Sequence, residues 1–216
     1  MKKILTNLLA IAIIAMISVF TGCKKPDTTA PEITLKGAAN QTISLQGIYT
    51  ELGATATDNK DGAITPIKSG TVNVNHTGTY IITYTATDAV GNVSKATRTI
   101  TVVNDVASMT GHYTCTGSTA YTGTITASPV VNKRINFSLF GNYAGNANIF
   151  AHVAGTTVGS VVTLDTVLSI QVGTPPKDRI FQGTGSVTSS AVFTLHGTEI
   201  INGGAPINFN ETFQKQ

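Results

Sequence analysis

Gly78-Thr-Tyr-Ile-Ile-Thr-Tyr-Thr-Ala-Thr-Asp88-Ala-Val-Gly-Asn92 carries the pattern that decides the fold. From Thr79 to Ala86 the residues alternate, with Tyr80, Ile82, Tyr84 and Ala86 on one face and mostly threonine on the other. Side chains of a strand point to opposite faces in turn, so this alternation predicts a half-buried strand. Asp88 to Asn92 is a turn by composition, because Asp and Asn bond their own backbone and Gly accepts left-handed conformations. Beyond it, Arg98 to Val103 answers the first strand, with Ile100 and Val102 facing one way and Thr99 and Thr101 the other.

Upstream, Pro31 to Leu35 and Gln41 to Leu45 alternate in the same way. Short strands divided by turn signals predict a β-sandwich from residue 31 to about 104. The composition agrees: 21 glycines, 12% charged residues and many β-branched side chains favour strands and turns over helices. With no tryptophan and 6% aromatics, a broad stacking platform for sugars or bases is not expected.

Three groups of residues in this unit form a familiar series. They are Asp27-Thr-Thr-Ala-Pro31-Glu-Ile-Thr-Leu35, Gly53-Ala-Thr-Ala-Thr-Asp58-Asn-Lys-Asp61-Gly62, and Gly78-Thr-Tyr80 with Tyr84-Thr-Ala-Thr-Asp88 and Gly91-Asn92. Together they resemble the bacterial surface Ig-like domain family, whose module also occurs in a pesticidal crystal toxin. The resemblance covers about a third of the chain. It implies an Ig-like sandwich acting as a spacer or adhesive unit in an envelope protein. Tyr80 then resembles the tyrosine that locks a corner in such sandwiches. Asp58, Asp61 and Asp88 sit in short loops and could offer oxygen ligands to Ca²⁺. Lys60 lies among them, and the later glutamate of an EF-hand loop is missing, so the simpler expectation is that they shape turns.

At the N-terminus, Lys2 and Lys3 precede the apolar run Leu8 to Ile17, which is too short to span a bilayer but suits a signal peptide. Phe20-Thr21-Gly22-Cys23 resembles the lipobox of bacterial lipoproteins, although Phe20 stands where Leu is usual. The expectation is a signal over 1–22, acylation of Cys23 and a polar tether over 23–30. The partner is then a membrane, reached through lipid on Cys23, with two or three acyl chains holding the protein there. Removing Lys2 and Lys3 leaves 12 basic against 11 acidic residues, a net charge of +1. No concentrated basic face remains for nucleic acid. Acylation of Cys23 leaves Cys115 without an intrachain partner, so it is expected as a small buried hydrophobe.

Residues 108–216 read as a second all-β domain. The candidate strands are 111–116, 120–127, 134–140, 148–154, 157–164, 167–172, 179–187, 191–196 and 207–213. Short links between so many strands predict an antiparallel meander, closed as a lipocalin-like barrel or stacked as two sheets. Ile135, Phe137 and Leu139 share a face, as do Ala191, Phe193 and Leu195, while His152 and His196 point outward. Ile207, Phe209 and Phe213 share a face with Glu211, which is expected at a barrel rim or, failing that, in a polar pocket. The architecture is similar in general character to β-rich domains of Bacteroidota glycan-uptake lipoproteins.

Catalytic patterns are missing from the sequence. No Gly-x-Ser-x-Gly elbow occurs; Asp165, Asp178, Glu199 and Glu211 lie in no recognisable motif; His76, His112, His152 and His196 are scattered. No catalytic residue, metal ligand or cofactor is assigned, and no ligand-binding residue is identified. The expectation is a non-catalytic, surface-exposed outer-membrane lipoprotein whose Ig-like spacer presents a binding domain to a glycan or protein partner. The alternatives are a carrier of a small apolar ligand in the barrel and a structural component of an envelope complex.

Overall fold

Alternation of β-branched and apolar residues builds almost everything in the computed structural model, which describes residues 25–118, 120–141, 149–165, 170–172 and 177–216. The expected signal over 1–22 and Cys23 lie outside these residues. The first seven strands are β1 (Glu32–Leu35), β2 (Asn40–Ser44), β3 (Ala54–Asp58), β4 (Gly62–Ile64), β5 (Ile67–Ser69), β6 (Gly78–Thr87) and β7 (Val93–Val103). They form two sheets, one in the order β1-β3-β4 and one in the order β2-β7-β6-β5. The β6–β7 hairpin is antiparallel over ten residue pairs, whereas β2 joins the other edge of β7 in parallel. Ile82, Tyr84 and Ile100 are buried between the sheets and meet Ile33, Leu35, Ile43, Tyr49, Ala54 and Val72.

A single 3₁₀ turn at Ala107–Met109 leads into the second unit. Its strands are β8 (Gly111–Gly117), β9 (Tyr121–Ala127), β10 (Arg134–Phe137), β11 (Ile149–Val153), β12 (Val161–Leu164), β13 (Ile170–Val172), β14 (Lys177–Ser189), β15 (Val192–Ile201) and β16 (Ile207–Lys215). Neighbours pair antiparallel in the order β12-β11-β10-β9-β8-β16-β15-β14-β13, and β12 also pairs with β14. That last pairing, Val161 to Thr163 against Ser186 to Thr184, closes eight strands into a barrel and leaves β13 as an appendage on the start of β14. Of the two arrangements open to the meander, the closed barrel is the one adopted. Closure removes the unpaired sheet edges that an open meander would expose.

The strand that closes the ring is the longest described, at 13 residues, and its glycines lie where strands approach closely. A Cβ on Gly185 would lie 1.7 Å from the Thr194 carbonyl oxygen, and one on Gly197 would lie 2.0 Å from that of Gln182. The Gly183-Thr-Gly185 run thus lies where two backbones approach too closely for a larger side chain. Among the described residues no helix is long and apolar enough to cross a membrane.

The junction between the units is bonded on both sides. Asn104 is buried, and its side-chain amide donates to the Ser128 and Val131 carbonyls while its oxygen accepts from the Val106 and Lys133 amides. Val106 and Met109 belong to the barrel core. From the other side, the Thr77 amide donates to the Pro129 carbonyl at 2.8 Å and the Asn132 amide to the Gln46 side chain at 3.2 Å.

Candidate functional site

Eight strands enclose an interior just wide enough for side chains to fill, and here they fill it. Phe137, Phe140, Phe181, Phe193, Phe209 and Phe213 are all buried inside. Phe193 and Phe213 stack with centroids 4.6 Å apart, while Phe140 meets Phe181 and Phe209 edge-on at 5.2 and 5.6 Å. Between Tyr113, Cys115, Tyr121, Ile125 and Phe213 there remains a space of about 10 Å³, the scale of one water. At the end of the barrel near Ser108, Tyr113 and Phe193 lies a pocket of about 130 Å³, well below the several hundred Å³ that a small-molecule site needs. Most of the chain's few aromatics therefore build the core and form no platform.

The barrel interior also holds a buried acid. Glu211 is 3% exposed and accepts a hydrogen bond from Cys115 Sγ at 3.0 Å. The expected rim position is corrected: β16 runs on to Lys215, so Glu211 sits mid-strand, facing inward beside Cys115. Ile207, expected to share its face with Phe209, is 53% exposed because β16 begins there. Burial, reinforced by the hydrogen bond to Glu211, pushes the Cys115 thiol up to about 12. Burial likewise raises the Tyr121 phenol. The group is a neutral thiol against a buried carboxyl group. It has neither the exposure nor the lowered thiol pKa that a nucleophile requires. His152 and His196 point out of the barrel, as the alternation predicts.

The turns of the first unit show why its polar residues recur. Asp58 Oδ1 accepts from the amides of Lys60 and Asp61 at 2.8 and 2.9 Å. Asp88 Oδ1 accepts from those of Val90 and Asn92 at 3.0 and 2.7 Å, and Asp61 Oδ2 accepts from Ala89 at 2.6 Å. These donors outweigh burial at Asp88 and hold both the Asp58 and Asp88 carboxyls below their ordinary range. The hydroxyl of Tyr80 donates back to the His76 carbonyl at 2.8 Å, tying the start of β6 to the loop before it.

A third carboxylate joins this end of the sandwich. Asp27 brings an oxygen within 4.8 Å of one from Asp58 and one from Asp88. The three-aspartate group expected from the sequence thus changes membership: Asp61 turns to the Ala89 amide, and Asp27 takes its place. Residues before β1 lie along the sandwich, with Lys60 Nζ donating to the Lys25 carbonyl and Asn92 Nδ2 to those of Asp27 and Thr29.

These turns, the tyrosine tie and the two sheets coincide with a sequence match over residues 33–102 to the family described as bacterial surface protein, Ig-like domain. Over residues 33–102, about a third of the chain, the protein is similar to that family. No curated protein matches the chain. Two solved structures are similar to it at low identity. One is the crystal structure of the lipoprotein BT2262 from Bacteroides thetaiotaomicron, 20% identical, covering 86% of this chain and 100% of that one at a TM-score of 0.34. The other is the structure of CBM51-2 in complex with GlcNAc and INT domains from Clostridium perfringens ZmpB, 19% identical. It covers 85% of this chain and 43% of that one at a TM-score of 0.27. At those scores neither superposition fixes a shared overall fold.

The Ig-like domain also holds a buried charge that sequence reasoning missed. Arg98 is 0% exposed on the core face of β7, and its guanidinium donates to Glu51 Oε1 at 2.5 Å and to the Lys36 carbonyl at 2.5 Å. Its place in the alternation, two residues before Ile100 and four before Val102, was the available signal. An arginine is read as exposed by default, which hides it.

Proposed function

We propose that this is a non-catalytic, lipid-anchored protein of the bacterial envelope whose Ig-like domain spaces a β-barrel domain away from the membrane, and that the barrel meets a glycan or envelope-protein partner with its outer surface and loops. The observation that carries this reading is the packed barrel interior. With six phenylalanines in its core and spaces of about 10 and 130 Å³ beside them, the barrel resembles a structural module more than a container. Recognition is then left to the outside. The family of the Ig-like domain supports an envelope setting; acylation at Cys23 and an outer-membrane, surface-exposed location complete the reading. The bonded junction at Asn104 supports a spacer that holds its neighbour in a set orientation.

Arrays of glycans and of lipids, probed with the mature chain carrying Cys23→Ser, test this. Saturable glycan binding, or capture of a single envelope protein by cross-linking in cells, is the expected result. Saturable binding of an apolar lipid would instead favour a carrier. Anchoring is tested separately by metabolic labelling with a fatty acid, which should depend on Cys23.

A further inference from the structure

We propose that Asp27, Asp58 and Asp88 form a Ca²⁺ site that clips the segment after the lipid anchor onto the Ig-like domain. Three carboxylates converge here with little exposure: Asp58 is 5% and Asp88 7% exposed, and the Asp27 side chain is 7% exposed. Among the described residues one ion pair reaches them, from Lys60, whose ammonium is 3.9 Å from Asp27 Oδ1 and whose side chain is 47% exposed. Packed negative charges repel strongly away from water unless something neutralises them.

The second observation is an orphan. Asp58 Oδ1 is occupied by two backbone amides, whereas Oδ2 of the same carboxylate is buried within this group and has no hydrogen-bond partner. A buried anionic oxygen left without a donor is a place for a cation. Ca²⁺ binds oxygens at about 2.3–2.6 Å, so two ligands on one ion lie at most roughly 5 Å apart. The carboxylate oxygens fall within 4.8 Å of each other, so the group needs no large rearrangement to share an ion. The donors are all oxygen, and no His or Cys stands among them, which favours Ca²⁺ over zinc. An open cleft lined by Lys25, Pro26, Asp27, Lys60, Asp61 and Val90 borders the group and gives an ion access.

If Cys23 carries the lipid, as in the reading above, the clip has a mechanical consequence. Held at Asp27, the domain hangs from four residues, a reach of about 14 Å; released as far as Pro31, it hangs from eight, about 28 Å.

The test is calorimetric titration of the mature, metal-stripped chain with CaCl₂, alongside MgCl₂. One Ca²⁺ per chain is expected, in the affinity range of extracellular modules, roughly 10⁻⁴–10⁻³ M. Asp27→Asn should weaken it roughly tenfold or more, because it removes a ligand charge while leaving the Asp58 and Asp88 turns intact. Asp61→Asn should bind like the wild type. No binding at 10 mM CaCl₂, or binding unchanged in both Asp27→Asn and Asp58→Asn, would overturn the proposal. Neither result depends on whether the barrel has a glycan or protein partner.

Discussion

Arg98 is the largest completely buried side chain among the described residues, and its surroundings show how the sandwich carries a charge in its core. Glu51 supplies the counter-charge and itself accepts hydrogen bonds from the Tyr49 hydroxyl and the Gly53 amide. Removing one partner of a buried pair costs about 3–5 kcal/mol, since the remaining charge stays desolvated. Glu51→Gln is expected toward the lower end of that range in urea unfolding at pH 7, because two carbonyls still face the guanidinium. The same carboxylate sets part of the acid stability. Burial alone would raise its pKa, but the donors from Tyr49 and Gly53 and the charge of Arg98 outweigh it and hold it low. Asp105 is also held low, by Ser44 first, with Asn132 and Lys133 adding to it against burial. A carboxyl lowered in the folded state stabilises fully above its unfolded pKa, and that stability is lost as pH falls through the folded value. Thermal unfolding should therefore vary little between pH 6 and 8 and fall below about pH 4.5, with a shallower fall in Glu51→Gln. Cys115 gives a second residue-scale outcome. With its thiol buried and raised to about 12, it should resist a thiol reagent at pH 8 in the folded Cys23→Ser protein and react once urea exposes it. Rapid labelling of the folded protein would contradict the burial described for this thiol.

At the scale of strands, the hydrophobic period was the most readable feature. The β6–β7 hairpin lies where the alternation from Thr79 to Ala86 places it, with Ile82, Tyr84 and Ala86 all buried. The same reading put Ile135, Phe137 and Leu139 on one face and Ala191, Phe193 and Leu195 on another; Ile135, Phe137, Phe193 and Leu195 are buried, while Leu139 and Ala191 are half-buried. The ends of strands were less readable. The last strand extends past Phe213 to Lys215, and β15 continues from His196 to Ile201, because pairing with neighbours carries polar residues into the ladder. The glycines of β14 and β15 show another limit: composition cannot distinguish a flexible loop from a close approach of two backbones. Here the approach is close, and a side chain at Gly185 would meet the Thr194 carbonyl. Gly185→Val should therefore destabilise the barrel by at least about 1–3 kcal/mol, the usual scale for overpacking. Gly91→Ala is the instructive contrast, since nothing crowds its Cβ and only its φ of +97° opposes the change; its cost should be nearer 1 kcal/mol. Chemical unfolding of the two variants side by side measures the difference.

For the whole molecule, what escaped the sequence are juxtapositions across long separations. Asp27 reaches Asp58 and Asp88 only because the segment before β1 lies along the sandwich, and no local pattern announces that course. Glu211 could be placed on an inward face by alternation, yet its neighbour Cys115 is 96 residues away in the chain and its enclosure depends on closure of the ring. Closure itself rests on three residue pairs between β12 and β14, which the meander pattern allowed without requiring. The central claim is that this closed barrel is full and that the protein works from its outside. Titration of the mature Cys23→Ser protein with a fluorescent fatty acid tests it most directly. The account predicts no saturable uptake by the folded protein, with or without Ca²⁺. Stoichiometric uptake, one probe per chain and abolished when a bulkier residue replaces Ala151 in the barrel core, would contradict it and make the barrel a carrier.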